Sequence, residues 1–144
     1  KVEGEWNVDG GAQFSALIQF EKGRIILNAD QPTALGGNGI APTPIHYCMF
    51  GLASCYAATF AMVAALEGVA LRKLRVAVEN TVDHRRALGL SEDPPTSGMT
   101  ITLHVDADAS DAKLAQIEEI SKRRCPAVYC LTQPIPLKTE LRRG

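Results

Sequence analysis

What this chain most plainly lacks is an excess of charge of one sign. Its 15 Lys and Arg are offset by 16 Asp and Glu, a formal net charge of −1. A general nucleic-acid binder carries a basic surplus, so this balance argues against one. Aromatic residues are scarce as well, at 6%, and stacking platforms for bases are not expected. The short runs Arg85-Arg86, Lys122-Arg123-Arg124 and Arg142-Arg143 read as solvated ends of elements. The start, KVEGEWNVDGG, shows no apolar segment of the signal-peptide kind. Four cysteines (Cys48, Cys55, Cys125 and Cys130) are too sparse for a disulfide framework in 144 residues that can build their own core. The default is therefore cytosolic thiols in a cytoplasmic protein. No metal site is expected, because Cys48 and Cys55 are too widely spaced and Cys125 to Cys130 is not a CxxC. The glycine-rich GGNG at 36–39 lacks the lysine and the Ser/Thr partner of a phosphate loop.

What is present reads as one α+β domain over 1–144. EGEWNV, AQFSALIQF and RIILNA are short strands punctuated by Asp9-Gly10-Gly11 and Glu21-Lys22-Gly23, an N-terminal β-meander. Prolines and glycines make 30–44 a loop, and Thr43-Pro44 starts a helix predicted to run to about Glu67 and stop at Gly68. Residues 71–84 read as a β-branched strand and 87–98 as a loop containing Pro94-Pro95. The alternating 99–108 reads as a second strand. Residues 110–124 form an amphipathic helix capped by Ser110 or Asp111, with Leu114, Ile117 and Ile120 on its apolar side. CPAVYCL is a short helix, and IPLKTEL at 135–141 is expected to close the chain as a strand. Strands, then one apolar helix, then strands and helices again is an α+β order rather than alternating βαβ.

GLASCYAATFAMVAALEG, at 51–68, carries no charge before Glu67. With its upstream residues it is long enough to span a bilayer. Its small residues, and flanking elements that need a common core, argue instead for a helix central to a soluble fold, so no membrane partner is expected. Ala53, Ala57, Ala61 and Ala65 recur every four residues and let another backbone approach closely. Either the chain's own sheet covers that stripe or a second copy does across a two-fold axis. The expectation is a homodimer. Cys55 lies inside this helix, where a lone cysteine is ordinarily packing. Cys125 directly precedes Pro126, which belongs at the first turn of a helix; that puts Cys125 at an N-cap, where free N–H groups favour a thiolate. His46, nine residues before Cys55, faces away from it on a regular helix and is a polar group at the helix mouth. His84 and His104 fall in predicted strands. Cys48 and Cys130 read as packing.

The loop ending in TP, the helix GLASCYAATFAMVAALEGV and the stretch VDADASDAKLAQIEEISKRRCPAV together resemble the OsmC/Ohr superfamily, the osmotically inducible and organic hydroperoxide resistance proteins. The resemblance covers the whole order of elements and is most specific around Cys55 and around Cys125-Pro126. It implies an intertwined α+β homodimer with two long central helices wrapped by sheets. It also implies a thiol peroxidase that reduces organic hydroperoxides, with Cys55 as the attacking sulfur and Cys125 as the resolving one. Such a protein uses an external thiol reductant and needs no cofactor. His46, Met49, Phe50, Tyr56 and Phe60 are then the candidate substrate-binding residues. Active relatives also use an N-terminal arginine, oriented by a glutamate one or two residues after the proline. Here those positions hold Ile45 and His46, and the only arginine before the helix is Arg24. The non-enzymatic alternatives are a dimer binding a small hydrophobic ligand, and a redox sensor.

Overall fold

A computed structural model describes residues 1–143. The chain forms two compact units, divided after Phe50.

In the first unit, β1 (Gly4–Trp6), β2 (Phe14–Phe20) and β3 (Gly23–Ala29) form an antiparallel sheet in chain order, the predicted meander. The β2–β3 register runs from Phe14↔Ala29 to Phe20↔Gly23, a tight hairpin closed at Glu21-Lys22. The loop that follows is organised by one buried side chain. Asp30, 1% exposed, accepts hydrogen bonds from the N–H groups of Gln31 (3.0 Å), Asn38 (3.1 Å) and Ile40 (3.2 Å). Its own N–H donates to the Pro42 carbonyl at 3.1 Å. Gly37 is required inside this knot, because a Cβ there would sit 1.9 Å from the Gln31 carbonyl oxygen. Asp30→Ala leaves three N–H groups without their acceptor. We expect it to lower stability by about 3 kcal/mol or more, read as a lower midpoint in chemical denaturation.

The long helix α1 (Pro44–Leu66) starts in this unit and continues through the second. Its start is a capping box with an unusual member. His46 Nδ1 accepts from the Thr43 N–H at 3.2 Å and lies 2.9 Å from Thr43 Oγ1. Glutamate or glutamine ordinarily fills that role three residues into a helix. A backbone N–H can only donate, so Nδ1 is the acceptor and the ring proton lies on Nε2. The helix ends on Gly68 at φ 74° in a Schellman turn, with Val69 N–H on the Ala64 carbonyl and Gly68 N–H on that of Ala65.

In the second unit, β4 (Leu71–Asn80) and β5 (Met99–Ala107) form an antiparallel ribbon. α2 (Asp111–Arg124) and α3 (Pro126–Thr132) follow. Phe60, Val63 and Ala64 of α1 meet Val69 and Ile117 in a buried cluster. Leu74, Leu103, Val105 and Ile120 pack against it. Alternation along the ribbon thus turns its apolar face onto the helices. Ser110 caps α2 through the Lys113 N–H, and Lys113 reaches back to Glu67 at 2.5 Å. α1 is the one helix among the described residues long and apolar enough to cross a membrane. Its buried residues Leu52, Tyr56, Phe60, Val63 and Ala64 lie on one side of the helix, and the last three enter the protein's own core.

Three expectations fail. Residues 135–141 form no strand: Pro134 and Pro136 bracket Ile135 without N–H donors, and Leu137 and Leu141 stay exposed. His84 lies in a turn after β4, not in a strand. Cys48 and Cys130 are exposed rather than packing residues.

Candidate functional site

Cys55 projects from the middle of α1, half-buried, and Cys125 is fully buried at the α2–α3 junction. Seventy residues apart in sequence, their sulfurs approach to 3.6 Å, with the Cys125 thiol donating to Cys55 Sγ. Both are free thiols. The junction is built by Pro126, which ends α2 and begins α3, leaving Cys125 as C-cap of one helix and N-cap of the next. Cys125 makes no side-chain capping bond to α3. The backbone N–H of Ala127, in the first turn of α3, favours the thiolate form of Cys55.

The Cys55 thiol is pushed above its ordinary value. The Ala127 N–H pulls it down by favouring the thiolate. Burial, the hydrogen bond with Cys125 and the negative charge that Cys125 or Cys130 would carry push it up and prevail. No cation figures among these influences. Arg123 and Arg124 are exposed in the last turn of α2, and Arg24 is exposed on β3.

The unit that carries the pair also holds a mainly apolar cavity of about 350 Å³, whose lining includes neither cysteine. It is lined by Leu52 of α1, Met99 and Ile101 of β5, Val128 and Leu131 of α3, and the Thr96–Gly98 loop. Leu52 stands one turn before Cys55, and Val128 follows Ala127. None of these residues was singled out from sequence. Their signal is spacing alone: Leu52 at three before Cys55, Val128 and Leu131 at three and six after Cys125.

The remaining sequence candidates fall in different settings. Tyr56 is buried, and its hydroxyl donates to Glu118 at 3.0 Å; burial first, then that bond and the Glu118 charge, raise its pKa. Phe60 belongs to the core cluster. In the first unit, His46 is exposed and caps α1, Met49 is half-buried, and Phe50 is 70% exposed. That unit has its own apolar concavity of about 480 Å³, lined by residues including Trp6, Phe14, Leu27 and Tyr47. Among the described residues, no three His, Cys, Asp or Glu are grouped to hold a metal ion.

The family model described as OsmC-like protein matches residues 36–140. No curated protein matches the chain. Among solved structures, an OsmC-like protein from Mycoplasma pneumoniae is 19% identical. The alignment covers 91% of this chain and 85% of that one, with TM-score 0.66. An organic hydroperoxide resistance protein OsmC from Legionella pneumophila is 16% identical over 92% and 89%, with TM-score 0.68. The organic hydroperoxide resistance protein OhrB of Bacillus subtilis is 16% identical over 92% and 89%, with TM-score 0.53.

Proposed function

Since this chain belongs to the OsmC-like protein family, we propose that it is a cytoplasmic, homodimeric thiol peroxidase that reduces organic hydroperoxides. The observation that carries this reading is the 3.6 Å approach of Cys55 and Cys125 sulfurs. The names of the solved relatives agree with it. The Cys55 thiolate attacks one peroxide oxygen; an S–O bond forms, the O–O bond breaks, and the alkoxide leaves and takes up a proton. Cys125 then displaces water from the Cys55 sulfenic acid, closing a disulfide of about 2.05 Å. An external thiol returns the two electrons. Sulfur alone exchanges them, so no metal or bound cofactor is called for. The Ala127 N–H supports the thiolate, and the apolar wall of Leu52, Met99, Ile101 and Val128 suits an alkyl chain.

One equivalent of an alkyl hydroperoxide should consume two thiols per chain and leave a Cys55–Cys125 bridge, mapped by mass spectrometry after alkylation. Unchanged thiol content would end the proposal. The pH profile has a definite sign. The thiolate is the nucleophile, and a raised Cys55 pKa keeps it scarce at neutrality. The first-turnover rate should therefore climb about tenfold per pH unit through about pH 8.5, where an ordinary thiol begins to level off. The same raised value favours one rival, a non-enzymatic dimer that binds a small apolar ligand. That rival predicts apolar ligand binding with no peroxide-dependent thiol loss at any pH.

A further inference from the structure

Closing a Cys55–Cys125 disulfide brings sulfurs that stand 3.6 Å apart to about 2.05 Å. How α2 lies on α1 therefore decides how readily the bond forms. One hydrogen bond fixes that placement from the residue next to Cys55. Tyr56 is 2% exposed, and its hydroxyl donates to the Glu118 carboxylate at 3.0 Å. The same hydroxyl lies 3.5 Å from the Glu118 backbone carbonyl. Glu118 stands two turns before Cys125 on α2, about 10 Å along the helix axis. A buried hydroxyl on a carboxylate makes a charge-assisted bond, stronger than one between neutral groups. Phenylalanine would fill the same space, so burial alone does not call for the hydroxyl. Two further contacts hold these helices together. Ile117 packs on Phe60, Val63 and Ala64. Lys113 meets Glu67 at 2.5 Å, twelve residues before Cys125 and twelve after Cys55.

We propose that Tyr56 is a positioning residue for the thiol pair: its hydroxyl, held by Glu118, fixes α2 on α1 and keeps the Cys125 sulfur in reach of Cys55. The proposal rests on the peroxidase reading for its use in turnover, but not for its geometry. The bond is in place while both thiols are free, so closing the disulfide does not have to order α2 as well. Its effect falls on the equilibrium between dithiol and disulfide. With oxidised glutathione, one protein thiolate attacks the glutathione disulfide, an S–S bond to the protein forms, and one glutathione leaves. The other protein thiolate attacks that mixed disulfide, closes Cys55–Cys125, and releases the second glutathione. Each leaving thiolate takes up the proton its attacker gave up. Two protein thiols are oxidised for each glutathione disulfide reduced.

The test equilibrates the full chain in glutathione buffers of graded ratio, without peroxide. The Cys55–Cys125 bridge is counted by mass spectrometry after alkylation, and cooperative urea unfolding shows that each variant is folded. Tyr56→Phe should lower the equilibrium constant about tenfold, the size of one hydrogen bond to a charged group. That is a rise of about 30 mV in reduction potential. Glu118→Ala removes the bond from the other side and should lower the constant at least about threefold, the backbone carbonyl remaining as a weaker acceptor. Glu118→Gln keeps an acceptor oxygen and should stay within about twofold of wild type. Glu67→Gln weakens the distant tie and should also stay within about twofold, whatever it does to the urea midpoint. Wild-type constants in Tyr56→Phe and Glu118→Ala, a tighter disulfide in either, or an equal fall in Glu67→Gln overturns the positioning role. The two readings fail separately. If the constants shift as stated but a hydroperoxide oxidises nothing, the peroxidase reading fails and the positioning role stands. If the hydroperoxide closes Cys55–Cys125 but Tyr56→Phe keeps the wild-type constant, the positioning role fails alone.

Discussion

Cys55→Ser should lower organic hydroperoxide reduction by a factor on the order of 10⁴ or more, because a serine hydroxyl has no thiolate to offer. The change is nearly isosteric, and the half-buried site loses no core contact that would unfold α1. Cys125→Ser should behave differently. The first peroxide is still cleaved, since the Ala127 N–H still supports the Cys55 sulfur, and steady-state turnover slows. If Cys125→Ser lost its first turnover as completely as Cys55→Ser, the assigned order of attack would be wrong. Stopped-flow peroxide consumption separates the two variants. Substantial activity in Cys55→Ser would transfer the attacking role to another thiol.

Much of the scaffold behind this site is local chemistry and was therefore readable. Pro44 and Gly68 bound α1, Ser110 caps α2, and Pro126 makes Cys125 a cap residue, all through interactions within a few residues. The meander and the ribbon follow from period-two alternation between turn residues. The meeting of Cys55 with Cys125 is a different kind of fact. No spacing encodes a contact across 70 residues, and only the resemblance joined them in advance. Tyr56 read as a pocket aromatic because its apolar neighbours are visible in sequence, whereas its partner Glu118 is 62 residues away. The role of Asp30 is hidden in the sequence for the same reason, since it acts through amides at 38 and 40 that come near only once the loop has folded. Ile135 and Leu137 show the alternation of a strand, yet a strand also needs an edge to pair with, and alternation cannot supply one.

Ala61→Arg should convert the proposed dimer to monomers. On the side of α1 away from the core, Gly51, Ser54, Ala58, Ala61 and Ala65 are exposed at helical spacing, beside Met62 at 52% and Leu66 at 70% exposure. A lone chain leaves this apolar strip in water. Side chains this small let a second helix pack at about 8 Å, and a two-fold axis sets the strip against its own copy. Spacing in the sequence alone points to Ala53, Ala57, Ala61 and Ala65, but Ala53 and Ala57 are half-buried, which moves the exposed seam by one residue toward Ser54 and Ala58. Arginine at 61 would have to bury an unpaired guanidinium in that seam, at about 3–5 kcal/mol. The dissociation constant should then rise at least on the order of 10²–10⁴-fold. Sedimentation should give the wild type twice the 15.5 kDa chain mass and the variant close to one chain. Diamide closure of Cys55–Cys125 in the variant confirms that it is folded. A variant that still sediments as a dimer would place the contact on another surface, and a wild type at 15.5 kDa would leave the strip without a second copy to cover it.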